Sequence, residues 1–411
     1  MFDKIGLPKN LLWGYIGLSL FMIGDGIEQA WLTLYFVKKG LSASNASFLI
    51  TCYGITVTIA AWISGVMVQT LGPRKVMLAG IVAFIGGSIG FIGWGLPSLN
   101  FLIMVPFYAI RGLGYPLFAY SFLVWINYSA SLERRSTAVG WFWFTFSLGL
   151  SVLGPFLSSM IIPLVGEIHV LWLGVIFVII GGTCALYLNK DQVSSCEIHK
   201  FSFDELMTAI TILQNPRISM GLIVKSINGL AQYGLPVFLP IWLLSYGYTQ
   251  NEWLHMWSAV FTVAIFSNLF FGFFGDKFGW RNTIMWVGGV SYAVVLILIL
   301  LLPQFLGHNY YLMMFVLCLC GVSMAGYVPL SALFPLLAPE NKGAAMSVLN
   351  LGAGLGAFLA PAIAGICYDS VGVKGILIVY AGFYILSAFL TPLLKTPQEL
   401  TTEYQTVIVE K

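Results

Sequence analysis

Asp25, Glu28 and Gln29 place two carboxylates and an amide in the middle of an apolar stretch spanning about residues 11–37. At 1.5 Å per residue this stretch can cross about 30 Å of hydrocarbon. A charge at that depth costs about 2.5 kcal/mol or more, so it normally faces a protein interior or a wet cavity. Spacings of three and four put the three groups on one helical face. Gly24 and Gly26 flank Asp25 and leave room for close backbone or ligand approach. Such a cluster can exchange a proton and hydrogen-bond a polar solute inside a membrane.

Of 19 basic and 16 acidic residues, four lie deep in apolar stretches: Asp25, Glu28, Arg111 and Lys225. Two charges of each sign point to mutual compensation in a cavity. Arg111 is read either as a structural ion-pair partner or as part of proton coupling or solute binding. Lys225, Asn228 and Gln232 follow at i, i+3 and i+7, a stripe offering donors and acceptors to hydroxyls. For Lys225 the alternative is snorkelling to the membrane surface, and for the two amides, bonding between helices. Tyr115, Trp141, Tyr233 and Tyr327 supply rings that suit C–H faces, although any ring in a chain with 15% aromatic residues can equally be packing. Asn350, an amide among glycines, completes the candidate substrate-binding set.

These residues must be held by membrane helices. The chain has 411 residues, 59% hydrophobic and 9% charged, where a soluble domain carries roughly 25% charge. The fold class is all-α and polytopic. Twelve apolar stretches are expected, at about 11–37, 45–70, 76–96, 101–128, 137–163, 170–188, 218–246, 252–274, 282–303, 310–338, 343–368 and 375–394. They divide into an N-terminal six-helix bundle (1–188), a cytoplasmic linker (189–216) with a short amphipathic helix near Phe201–Leu206, a C-terminal bundle (217–395) and a cytoplasmic tail (396–411). With both termini inside, the inner loops hold Arg74, Lys75, Arg134, Arg135, Lys277, Arg281 and Lys342. The outer loops hold Lys38, Lys39 and Lys374, which favours that orientation. The first stretch is read as a span because it is too long and too charged for a signal peptide. The six cysteines show no metal or redox spacing and read as apolar fillers. A net charge of +3 without a basic cluster argues against nucleic acid.

The two halves repeat. Gly65-x-x-x-Gln69-Thr70-x-Gly72-x-Arg74 recurs 207 positions on as Gly272-x-x-x-Asp276-Lys277-x-Gly279-x-Arg281. Glu133 and Glu340 share that offset, and Gly154-Pro155 matches Ala360-Pro361 within one residue. Duplicated six-helix units imply two bundles around a central site, which suits alternating access.

These loops resemble the signature of the major facilitator superfamily, in which they are thought to latch the two bundles. The second copy is nearly complete, and the first has Gln69 for the acid and Thr70 for the base, implying a weaker or differently made latch. A narrower resemblance is to the polyol permeases, bacterial carriers of ribitol and arabinitol. It is carried by Gly6-Leu7-Pro8-x-Asn10-Leu11-x-Trp13-Gly14-Tyr15, Gly24-Asp25-Gly26-x-Glu28, Arg111-Gly112-x-x-Tyr115-Pro116-Leu117-Phe118, Gly140-Trp141-Phe142-Trp143, Gln232-Tyr233-x-x-Pro236-Val237-Phe238 and Asn341–Asn350.

The resulting expectation is a secondary transporter of the bacterial inner membrane, monomeric, importing a small polyhydroxylated solute with protons and no other cofactor. Asp25, Glu28 and Arg111 would couple the proton. Gly65, Gly72, Arg74, Gly272, Asp276, Lys277, Gly279 and Arg281 would form the gating loops. The main alternative is a proton-coupled carrier of an organic anion held by Arg111 and Lys225. Drug export draws on Gly154-Pro155 and the aromatic content, but an isolated Gly-Pro also simply kinks a helix. A non-translocating receptor lacks a sizeable appended domain, and an enzyme lacks a metal cluster, nucleophile–base pair or cofactor motif.

Overall fold

The structure, a computed structural model, describes residues 9–129, 135–189, 211–339, 342–396 and 399. The expected surface helix near residues 201–206, Glu133, Glu340 and Cys196 lie outside the described residues, as do the side chains of Gln69, Asp276 and Lys342.

Among the described residues the secondary structure is helical throughout. The first half comprises α1 (Leu12–Gln29), α2 (Leu32–Lys38), α3 (Ala43–Leu71), α4 (Pro73–Gly90), α5 (Phe101–Gly112), α6 (Gly114–Ser129), α7 (Arg135–Ser147), α8 (Gly154–Val165) and α9 (Glu167–Tyr187). The second comprises α10 (Pro216–Leu244), α11 (Gln250–Phe278), α12 (Ser291–Leu306), α13 (Tyr310–Ala325), α14 (Leu330–Leu337) and α15 (Lys342–Leu390). Nine described stretches have the length and composition to cross a membrane. Local chemistry sets where they start. Ser42, Asn100, Asn215 and Asn309 accept hydrogen bonds from backbone N–H groups of the first turn, and Thr249 and Glu252 form a reciprocal capping box. Gly72 and Gly279 adopt φ of +81° and +93°, turning the chain sharply between one helix and the next.

The helices depart from the uniform expected spans in ways that depend on packing. The stretch expected at 11–37 breaks at Ala30–Trp31, directly after the acidic cluster. Carbonyls around the break are satisfied by indoles: Trp31 Nε1 donates to Ile27 O and Trp253 Nε1 to Ala30 O, both at 2.6 Å. Irregular backbone inside a membrane protein requires such partners. The stretch at 101–128 breaks at Leu113, and Pro116, without an N–H, leaves the Gly112 carbonyl without its helical partner. The stretch at 310–338 breaks between α13 and α14, and the last two expected spans run together through a turn at Gly372, φ +62°. Wider π-type turns occur at Phe91–Gly95, Leu148–Leu153 and Thr283–Val290.

Within the first half, α1 packs on α9 and α4 on α6; within the second, α10 packs on α15 and α11 on α13. The halves meet where α3 crosses α15, where α11 crosses α8 and the Leu148–Leu153 turn, and where α2 touches α10. Hydrogen bonds between the halves gather toward the end that carries residues 39–42 and 245–249, among the described residues. Lys38 Nζ donates to Gln250 Oε1 (2.6 Å), Ser44 Oγ to Gly365 O (2.8 Å), Thr58 Oγ1 to Gly354 O (2.8 Å) and Ser258 Oγ to Val152 O (2.7 Å).

Small residues let these backbones approach. A Cβ on Gly26 would lie 2.0 Å from the Leu150 carbonyl oxygen, and one on Gly154 would meet Gly26 itself at 2.6 Å. Gly26 therefore serves helix packing rather than ligand approach, and Gly154 has a packing partner independent of any export motif. Gly26→Val is expected to destabilise the protein by about 1–3 kcal/mol, whereas Gly86→Ala, with open space around it, is expected to be neutral or slightly stabilising. Thermal unfolding of the purified variants checks this, and equal midpoints for the two would contradict it.

Candidate functional site

The α1 helix ends with Asp25, Glu28 and Gln29 facing a central cavity with about 600 Å³ of empty space, its mouth included. Tyr53 of α3, Tyr108 of α5, Tyr115 of α6 and Thr33 of α2 complete the polar wall of the first half; Gln232 and Tyr233 of α10 complete that of the second. Ile50, Val57, Pro236, Val237 and Ala357 supply apolar surface. The three groups singled out on α1 thus share one wall, as their spacing requires.

The two carboxylates have different partners. Glu28, 2% exposed, receives an ion-paired hydrogen bond from Arg111 Nη1 and a second bond from the Tyr108 hydroxyl at 2.8 Å. Asp25, 3% exposed, receives a hydrogen bond from the Tyr53 hydroxyl at 2.6 Å and has no cation within ion-pair distance among the described residues. The Tyr53 and Tyr108 rings pack 4.8 Å apart, linking the two acids through one aromatic pair.

Arg111 is absent from the cavity wall. Its guanidinium carbon lies 4.4 Å from the centre of the Phe84 ring and 5.9 Å from that of Tyr108, and its Nε has no hydrogen-bond partner. Gly87 makes this position possible, since a Cβ there would meet the Arg111 backbone nitrogen at 2.5 Å. The cation is held behind Glu28 and Tyr108, facing an aromatic ring.

The other predicted residues lie elsewhere. Tyr327 is buried within the second half, its hydroxyl 2.9 Å from Ser387 Oγ, a packing position. Trp141 is half-buried beside Phe144, and Asn350 is exposed on α15. Asn228 and the half-buried Lys225 continue the Gln232 stripe along α10 but lie outside the cavity wall. Sequence reasoning missed Tyr53, Tyr108 and Thr33. Tyr108 had a usable signal, standing three positions before Arg111 on the same face.

The arginines of the repeated loops hold their own halves. Arg74 Nη2 donates to Asn189 O (3.3 Å) and Arg281 Nη1 to Leu394 O (3.2 Å), each just beyond the half's last helix. Arg74 also lies over the Trp125 ring at 5.0 Å, and the Asn189 side chain accepts from Gly14 N. Arg281 pairs both its terminal nitrogens with Glu399 at 2.6 Å, holding that carboxyl down at about 2. This contribution is fully present above the ordinary glutamate range and is lost as the pH falls toward 2. Lys277 lies 5.9 Å from the Phe278 ring centre, Gly65 has open space around it, and the side-chain surroundings of Gly272 fall outside the described residues.

Removing one partner of a buried ion pair leaves the other charge uncompensated. Glu28→Gln is expected to cost about 3–5 kcal/mol of stability and Asp25→Asn much less, with Glu28→Gln/Arg111→Gln recovering part of the loss. Thermal unfolding in detergent measures the order, and an Asp25→Asn loss exceeding that of Glu28→Gln would contradict it.

Comparison with known proteins accords with this architecture. The family model described as "Major Facilitator Superfamily" matches residues 14–301 and 221–406. The chain is 50% identical to the alpha-ketoglutarate permease of Bacillus subtilis over 98% of its own length and 93% of the relative's. It is 40% identical to the ribitol transporter of Klebsiella pneumoniae (96% and 93% covered) and 38% identical to the D-arabinitol transporter of the same organism (96% and 94%). Among solved structures, a D-xylose–proton symporter superposes with a TM-score of 0.74 at 14% identity, covering 93% of this chain and 96% of that one; the likeness is one of fold. The protein is a multi-pass bacterial membrane transporter, not an enzyme, that takes a small-molecule solute within the membrane. By its sequence, and in keeping with its fold, the chain belongs to the major facilitator superfamily.

Proposed function

We propose that the protein imports a small polyhydroxylated solute, such as ribitol or arabinitol, by proton symport with alternating access. In this reading twelve helices cross the membrane with both termini cytoplasmic, and residues 1–188 and 217–395 move as two bundles. The observation that carries the reading is the composition of the cavity wall. Two carboxylates, two amides and four tyrosine hydroxyls line it, and no cationic side chain does, among the described residues. Hydroxyls of a polyol can donate to Asp25 and Gln29 and exchange hydrogen bonds with Tyr53, Tyr115, Gln232 and Tyr233. Its C–H faces suit the rings and Val57, Pro236 and Val237. The relatives named for ribitol and D-arabinitol transport support the same solute class.

Asp25 is the proton carrier in this scheme. It faces the cavity with no ionic partner among the described residues, so a proton can neutralise it without breaking an ion pair. Glu28 is held by Arg111 and Tyr108 and fixes the wall on which Asp25 sits. The inter-halves bonds near residues 38–58 and 250–258 close the cavity toward the proposed outer surface, one of the two closures that alternating access requires.

A second reading, a proton-coupled carrier of an organic anion, is favoured by the relative named as an alpha-ketoglutarate permease. As expected from the sequence, that carrier uses Arg111 and Lys225 for the anionic group; Arg111 is engaged by Glu28 behind the wall, and Lys225 lies on α10 outside it.

Uptake of radiolabelled ribitol and D-arabinitol into cells producing the protein, with and without a protonophore, tests the proposal. Accumulation above equilibrium that collapses with the protonophore is expected. Equilibration unaffected by it would remove proton coupling, and 2-oxoglutarate uptake without polyol uptake would favour the second reading.

A further inference from the structure

The proposed polyol site leaves one stripe of α10 unexplained. Gln232 lines the cavity, but Asn228 and Lys225 lie one and two turns further along, toward Pro216 and away from the end closed by the inter-halves hydrogen bonds. Asn228 Oδ1 is buried without a hydrogen-bond partner. Lys225 is half-buried and forms no ion pair or hydrogen bond with any described residue. Its stem rests on Gly352 of α15, where an added Cβ would lie 2.9 Å from Lys225 Cβ and Cγ. That glycine leaves space for the lysine stem. The other deep cation, Arg111, is neutralised by Glu28. A half-buried lysine and a buried amide oxygen on one helical face, neither partnered among the described residues, constitute an unfilled polar station.

We infer that Lys225 and Asn228 form a carboxylate-end subsite continuous with the hydroxyl-binding cavity, so that the preferred solute is a polyhydroxylated carboxylic acid rather than a neutral polyol. This rests on the polyol reading of the cavity. Lys225 donates charge-assisted hydrogen bonds to the carboxylate, while Asn228 Oδ1 accepts from the adjacent hydroxyl. The seven residues between Gln232 and Lys225 correspond to a rise of about 10 Å, which an extended five-carbon acid together with the lysine side chain can bridge.

The test is transport by the full chain in proteoliposomes, with labelled ribitol, labelled ribonate and labelled 2-oxoglutarate as separate probes, for the wild type, Lys225→Gln and Lys225→Arg. Ribonate transport is expected to exceed ribitol transport in the wild type. Lys225→Gln is expected to lower ribonate transport about tenfold or more relative to its effect on ribitol, the size of a lost charge-assisted hydrogen bond. Lys225→Arg should restore most of it, which separates charge from folding. Ribitol transport with no preference for ribonate, or a preference that Lys225→Gln leaves intact, overturns the inference while the polyol reading stands. Transport of 2-oxoglutarate alone, or of none of the probes by correctly folded protein, overturns the polyol reading and the inference with it.

Discussion

A carboxylate inside a membrane protein must be matched by a cation, hydrogen-bonded, or protonated, and the site depends on how that requirement is divided between two acids one turn apart. Glu28 has Arg111 and Tyr108. Asp25 has the Tyr53 hydroxyl but, among the described residues, no ionic partner. Breaking the first pair would strand a guanidinium against Phe84 in a medium that solvates it poorly. That pair therefore fixes α1 to α5 and orients the wall. It also leaves Asp25 as the group whose charge can change at least structural expense. In the proposed mechanism two acids of similar chemistry take different roles because their neighbours differ.

The same demand for partners shapes the backbone around the cluster. The α1 helix ends at Gln29, and the break beyond it exists because two indoles take the carbonyls of Ile27 and Ala30. One indole comes from the same segment and the other, Trp253, from the opposite half. The irregular backbone next to the solute cavity is thereby tied to closure of the halves. A rocking motion that separates α11 from α1 must remove the Trp253 bond, leaving the Ala30 carbonyl to water or another donor. The cavity wall, the shape of the helix end and the contact between the halves meet at one peptide group. The loop arginines have a different task. Arg74 and Arg281 each clasp the end of their own half, which stiffens the halves as bodies.

Much of this was legible in the chain because charge in an apolar run is costly enough to be conspicuous. Asp25, Glu28 and Gln29 could be placed on one face from spacing alone, and Gln232 and Tyr233 also reach the cavity. The superfamily fold was readable from the repeated loops and the hydrophobic stretches. Arg111 was conspicuous for the same reason, but no local pattern showed that its guanidinium points away from the cavity. That depends on Gly87, which lets α4 crowd its backbone, and on Phe84 beneath it. Tyr53 and Tyr108 were hidden among many aromatic residues. Tyr327, chosen on the same grounds, turned out to pack against Ser387. The breaks at Ala30–Trp31 and Leu113 were also invisible to hydropathy, since they answer to partners distant in sequence. Spacing along one helix could be read; what lies across from it could not.

The most direct measurement is solute-driven proton movement in proteoliposomes containing a pH-sensitive dye. With an inward ribitol gradient, or a ribonate gradient if that is the preferred solute, the wild type should acidify the lumen. Asp25→Asn should abolish that signal while still exchanging labelled for unlabelled solute. Undiminished acidification by Asp25→Asn would contradict the assignment of Asp25 as proton carrier and, with it, the division of labour between the two acids.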